Sequence, residues 1–328
     1  MELGKFGTNK TDMKHKKLII SLTVIVVIIV GGLIGGSLYM IDYSLRPENR
    51  GKDLAGSEAY MRETYPQING WLDSLQGNQL LKDTFITAKD GIKLHAYYAY
   101  ASHPTKKTAV IVHGYTDSAI RMFHIGYMYN QSLDYNIIVP DLRYTGLSGG
   151  DAIQMGWLDR LDVKEWINLT PGIFGDSIQA VVHGISMGAA TTMMTSGEVL
   201  PEYIRCFVED CGYTSVWEQF KKELKEQFNL PAFPLLYTAS WICELQNGWN
   251  FHEASAIEQV KKCDKPMFFI HGDKDDFVPT YMVNEVYAAK SEPKEIWIVP
   301  ETDHATSYKN YPEEYTKRVK AFTDKYID

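Results

Sequence analysis

The run Gly184-Ile185-Ser186-Met187-Gly188 follows the apolar stretch Ala180-Val181-Val182-His183 and precedes the small residues Ala189-Ala190-Thr191-Thr192. A serine on such a strand-to-helix turn is a candidate nucleophile. Its hydroxyl reacts poorly until it is lifted clear of the sheet and given a base. The turn is tight enough that side chains at its flanks would clash, which explains the two glycines. The helix N-terminus behind the serine offers backbone N–H groups to a developing oxyanion.

A serine nucleophile needs a base and an orienting acid. In hydrolases built on such a turn the order along the chain is serine, acid, histidine. Three histidines follow Ser186: His252, His271 and His304. His271 closes an apolar strand and reads as part of a strand-end turn. His252 lies in a polar, aromatic stretch. His304 follows the last predicted strand, in the loop from which a base can hang over the serine. For the acid, Asp273, Asp275 and Asp276 compete within Phe269-Ile270-His271-Gly272-Asp273-Lys274-Asp275-Asp276-Phe277-Val278-Pro279.

That last stretch resembles the H-G-x-x-D-x-x-V-P pattern of the α/β-hydrolase superfamily. The resemblance puts the acid at Asp275, with Asp210 the position some relatives use instead. His113-Gly114-Tyr115 resembles the family's H-G-x segment, so the resemblance implies that the Tyr115 and Met187 backbone N–H groups form the oxyanion hole. It gives His113 a structural role. Pro140-Asp141-Leu142-Arg143-Tyr144-Thr145-Gly146-Leu147-Ser148 resembles the family's D-x-R-x-x-G-x-S turn, packing beside the serine. Within the superfamily the chain is similar to membrane-anchored bacterial hydrolases of the BEM46/YqkD-like kind, often grouped with serine aminopeptidase-like sequences. That placement draws partly on the segment Asp210 to Trp217.

The elements that must hold these groups are legible as a pattern. Two alternating segments, Asp83 to Ala88 and Lys93 to Tyr100, flank a Lys-Asp-Gly-Ile turn and predict a hairpin. Short unbroken apolar runs begin at Ala109, Ile137, Ala180, Cys206, Met267 and Ile296, as strands buried on both faces should read. Helical periods lie between them, as in Ala189 to Leu200 and Thr280 to Lys290. The alternation predicts a mostly parallel, doubly wound sheet with catalytic groups at the carboxyl ends of its strands, and the resemblance implies that this is the α/β-hydrolase fold.

The 328 residues carry a net charge of -8, unevenly spread. Residues 1–17 are a basic tail of net charge +3, and 18–41 hold no charge, which leaves -11 for the rest. The 24 uncharged residues Leu18 to Ile41 span about 36 Å as a helix, enough to cross a bilayer. No small-residue cleavage site follows, so an uncleaved anchor is expected. The cluster Lys14-His15-Lys16-Lys17 puts the N-terminus in the cytoplasm and the body outside. Gly31 with Gly35, and Gly32 with Gly36, satisfy small-xxx-small spacing and leave oligomerisation open. The acidic body excludes a nucleic-acid partner. Cys206, Cys211, Cys243 and Cys263 match no zinc spacing and read as buried free thiols.

Residues 42–79 read as a stalk and leading helices, and 80–328 as the catalytic domain. Between two predicted strands, Cys211 to Asp264 exceeds an ordinary crossover, which predicts a lid over about 213–252. The lid is rich in aromatic and apolar residues and favours a small-molecule acyl substrate, with Tyr213 a candidate substrate contact. The reading is a serine hydrolase cleaving a carboxylic ester through an acyl-enzyme, with no cofactor or metal. A serine peptidase acting on N-termini and a non-catalytic surface binding protein are the alternatives.

Overall fold

The structure, a computed structural model, describes residues 10–48 and 50–328, with side chains from Met13 onward. The first part of the basic tail, residues 1–9, lies outside the described residues.

Eight strands form one sheet: β1 Lys82–Thr87, β2 Lys93–Ala99, β3 Lys107–Val112, β4 Asn136–Pro140, β5 Gln179–Ile185, β6 Ile204–Asp210, β7 Met267–Gly272 and β8 Lys294–Val299. Their order is β1-β2-β4-β3-β5-β6-β7-β8. The β1–β2 hairpin is antiparallel, as is β2 to β4, and every later pairing is parallel. The two faces are read directly from β3. Val110 and Val112 pack into one core while Ala109 and Ile111 pack into the other. Burial on both faces is why these strands are continuous apolar runs. It is the mostly parallel, doubly wound architecture expected of an α/β-hydrolase.

The N-terminal helix α1 runs from Lys10 to Leu45. It outlasts the uncharged run and enters the body: Ser37, Ile41 and Leu45, one turn apart, are buried. The segment after it is not a free stalk. Helices α2 (Leu54–Thr64) and α3 (Asn69–Gly77) bury Met61, Trp71, Leu72 and Leu75 against one sheet face. The Trp71 indole donates to Asn130 Oδ1 at 2.9 Å, which fixes α3 to the body.

Helices α4 (Phe123–Tyr127), α5 (Asp159–Phe174) and α6 (Met187–Ser196) follow. Every residue of α6 is buried, because it lies in the middle of one helical layer directly behind Ser186. The lid is a helical pair, α7 (Val216–Phe228) and α8 (Leu235–Asn247). Its base is closed by an isolated bridge between Ser215 and Ser255, each of which also caps a helix. The four cysteines are free and buried. Gly36, one of the small residues with dimer spacing, instead faces the Leu235 side chain of α8.

Candidate active site

Ser186 sits at the end of β5 with φ 58 and ψ -120, a strained conformation for any residue but glycine. The glycines on either side are required by atoms that can be named. A Cβ on Gly184 would fall 2.0 Å from the Gly188 carbonyl oxygen. A Cβ on Gly188 would fall 2.1 Å from the Val112 carbonyl oxygen on the neighbouring strand. The Ser186 N–H donates to the Asp210 carbonyl at 2.8 Å, locking the turn to the end of β6.

His304 hangs over the serine from the loop after β8. Its Nε2 lies 2.7 Å from Ser186 Oγ, and its Nδ1 lies 2.7 Å from Asp275 Oδ2. Burial would raise the Asp275 carboxyl. Hydrogen bonds from His271 and His304, and from the Val278 N–H, instead hold it down to about 2. Asp275 is therefore ionised at neutral pH and can only accept. The proton of a neutral His304 must then sit on Nδ1, which leaves the Nε2 lone pair facing the serine hydroxyl.

Asp210 occupies a different place. Its Oδ1 accepts from Ser307 Oγ at 3.0 Å, and burial pushes its carboxyl up to about 6. Its contribution near the serine is the backbone carbonyl that holds the turn.

A second imidazole, His271, stands beside the acid. Its Nε2 donates to the Val278 carbonyl at 2.7 Å and lies 3.3 Å from Asp275 Oδ2. Burial opposes its protonation, but Asp275 and Glu209 more than offset that and raise its pKa. The sequence marked His271 as a turn residue and missed this contact. The signal was its spacing of four from Asp275 across a strand-end turn.

The loop after β3 holds Tyr115, and Met187 is the first residue of α6, whose N–H has no acceptor within the helix. His113 pins this loop. It accepts the Leu142 N–H on Nε2 at 2.9 Å, so its proton is on Nδ1, which donates to the Gly114 carbonyl at 2.8 Å. Burial lowers its pKa, which keeps it neutral. Asp141 braces the adjacent turn, accepting from Ala119 N at 2.7 Å and Leu147 N at 2.9 Å.

Ser186 opens on a cavity of about 330 Å³ with mostly apolar walls, near the lower end of the usual range for small-molecule sites. Phe220, Leu224, Leu235, Leu236 and Phe251 line it from the lid. Tyr213 lines it too, but its hydroxyl is engaged by the Met155 carbonyl at 2.9 Å, so it presents only its ring. Sequence reasoning missed two further groups. The Phe277 ring packs on His304 with centroids 4.9 Å apart. Met40, Ile41 and Ser44 of α1 also line the cavity. Cys211, Asp275 and His304 lie close enough to share an ion. The thiol, however, is pushed well above its ordinary range by burial and by Asp210 and Asp275, and the other two are already paired with each other.

Residues 154–328 match the family described as the prolyl oligopeptidase family. A Bacillus subtilis protein, the uncharacterized protein YqkD, is 29% identical over 251 residues, covering 76% of this chain and 82% of that one. Among solved structures, the Pyrococcus furiosus esterase Pf2001 superposes with a TM-score of 0.63 at 24% identity, covering 77% of this chain and 96% of that one. An acylaminoacyl peptidase from Pyrococcus horikoshii gives 0.53 at 17% identity, over 77% of this chain and 42% of that one. These neighbours share the α/β-hydrolase fold.

Proposed function

Because this chain belongs to the prolyl oligopeptidase family of α/β serine hydrolases, we propose that it is a membrane-anchored hydrolase of carboxylic esters. The proposed triad is Ser186, His304 and Asp275. The observation that carries the reading is the unbroken relay from Ser186 Oγ to His304 to Asp275, two contacts of 2.7 Å, opening on an apolar cavity.

In the proposed mechanism His304 Nε2 takes the proton of Ser186 as Oγ attacks the ester carbonyl. Asp275 holds the imidazole tautomer and stabilises the imidazolium. The Tyr115 and Met187 N–H groups receive the oxyanion, each worth about 3 kcal/mol. The leaving alcohol takes the proton from His304, and water, deprotonated in turn by His304, releases the acid. α1 is the anchor, and the basic residues before it favour an outward-facing body.

Family membership also favours a second reading, a peptidase acting on N-termini. That chemistry calls for an acidic anchor for the amine. The acid that lines the cavity, Glu223, is already engaged by Gln219 at 3.1 Å, Gln227 at 2.6 Å and Lys222 at 3.1 Å. The bonds support the ester reading. The test is to assay the detergent-purified full chain on p-nitrophenyl esters of rising chain length and on aminoacyl anilides. The ester reading expects ester turnover that Ser186→Ala abolishes. Anilide turnover without ester turnover would replace it with the peptidase reading.

A further inference from the structure

The contact between α1 and the lid marks where the bilayer ends. Leu18 to Ser37 is 20 residues of helix, about 30 Å, the thickness of a hydrocarbon core. α1 is exposed through most of that length, and burial begins at Ser37. At that level Ser37 Oγ donates to the Leu235 carbonyl at the start of α8, at 3.3 Å. One turn further, Ile41 and Ala239 line the same cavity. The two helices therefore run side by side in one direction, away from the bilayer boundary. The segment that enters α8 is the membrane end of the lid.

That end is apolar and exposed, with Tyr237 packed edge-on to Trp217 at 4.8 Å and to Phe233 at 5.8 Å. Phe233, Tyr237 and Trp241 recur every four residues and are 72%, 52% and 57% exposed. From Asn229 to Cys243 the chain carries no charge. The charge that reaches this segment is the Lys225 ammonium, which donates to Asn229 Oδ1 at 2.6 Å and suits a headgroup layer. Aromatic side chains, above all those with a polar tip, gather at membrane interfaces. Phe233 precedes α8, and Tyr237 and Trp241 lie two and six residues into it from Leu235, about 3 Å and about 9 Å beyond that boundary, across the depth of a headgroup layer. The cavity reaches the contact between α1 and α8, where Met40, Ile41, Leu235 and Leu236 form its wall.

We infer that this edge of the lid rests in the headgroup layer of the membrane that holds α1, and that the substrate is an acyl ester dissolved in that leaflet. Its chain enters through the α1–α8 seam without crossing water. The inference deepens the anchored ester-hydrolase reading and rests on it. The reaction is that reading's own: water cleaves the acyl–oxygen bond and yields a fatty acid and an alcohol.

The test uses the full chain in phosphatidylcholine nanodiscs, with and without bromine high on the acyl chains. In Phe233→Trp the added emission should fall about twofold in brominated lipid, as for an interfacial indole. Emission unchanged by bromine overturns the inference, whatever the enzyme hydrolyses. A second arm compares 4-methylumbelliferyl oleate in the nanodisc with p-nitrophenyl butyrate in water. Phe233→Asp should lower kcat/KM about tenfold on the oleate and less than about twofold on the butyrate, and Phe233→Leu should restore the former. Equal losses on both esters, or none on the oleate, would contradict it. A wild-type chain that turns over neither ester but shows the quenching faults the hydrolase reading and upholds the membrane contact.

Discussion

The Tyr115 hydroxyl donates to the Ser44 carbonyl at 2.8 Å, tying the loop proposed to bind the oxyanion to the end of the apolar N-terminal helix. The apolar helix and the site are thus joined. Ser44 and Met40 line the cavity that Ser186 faces.

Tyr115→Phe keeps the backbone N–H and removes this tie. Losing one such hydrogen bond costs about 1 kcal/mol, so the melting temperature should drop by a few degrees and kcat/KM by less than about fivefold. A hundredfold fall in kcat with unchanged melting would instead place the hydroxyl in the chemistry.

Asp275→Asn and Asp210→Asn separate the two carboxyls. The first removes the charge that fixes the His304 tautomer and should lower kcat roughly 10⁴-fold. The second leaves the Asp210 main-chain bond to Ser186 in place and should cost less than about tenfold, since its side chain meets Ser307 and not His304. Steady-state kinetics on one ester checks both.

Gly188→Ala should abolish folding or activity together. The added carbon would lie 2.1 Å from the Val112 carbonyl, and backbone atoms of a central strand cannot retreat. A cost above about 4 kcal/mol is expected, read from soluble yield and thermal unfolding. Gly91, at a hairpin tip with open space around it, has only its φ of 87 to lose, and Gly91→Ala should cost about 1 kcal/mol.

The stability contributed by three buried carboxyls should fall as pH rises from about 5 to about 8; His124 and His183, lowered by burial to about 3, add stability as pH rises toward 6.5, so the net fall is read above that value. Burial pushes Asp210, Asp159 and Glu209 up to about 6, 7 and 8, above their unfolded values of 3.8, 3.8 and 4.5. These three groups then hold more protons in the native chain than in the unfolded one across that window. The stability from these groups is complete below the unfolded values and is lost as pH passes the folded ones. Each group loses about 1.4 kcal/mol for every pH unit that separates its folded and unfolded values. Asp275 has the opposite sign: its contribution is present above 3.8 and is lost as pH falls toward 2. Glu209→Gln, which keeps a neutral group of the same shape, should flatten the slope of melting temperature between pH 6 and 8.

The sheet was legible because burial on both faces forces unbroken apolar runs, and the Ser186 turn because its sterics admit only glycine at 184 and 188. The choice of Asp275 over Asp273 and Asp276 needed the family resemblance, since spacing alone cannot say which carboxylate meets an imidazole. The part of α1 that lines the cavity was not legible. Hydropathy counts Ser37 to Ile41 with the membrane span, whereas the last turns of that helix direct their apolar side chains to the core and the cavity wall. His271 and Phe277 were missed for a similar reason, because a contact made across a turn leaves no period in the sequence.

The most direct measurement is mass spectrometry of the full chain after reaction with a fluorophosphonate. A Ser186–His304–Asp275 triad predicts a single phosphonyl adduct on the peptide bearing Ser186, absent in Ser186→Ala and slowed by orders of magnitude in a His304→Ala chain that melts like the wild type. An adduct elsewhere, or labelling of Ser186 that is indifferent to His304, would contradict it.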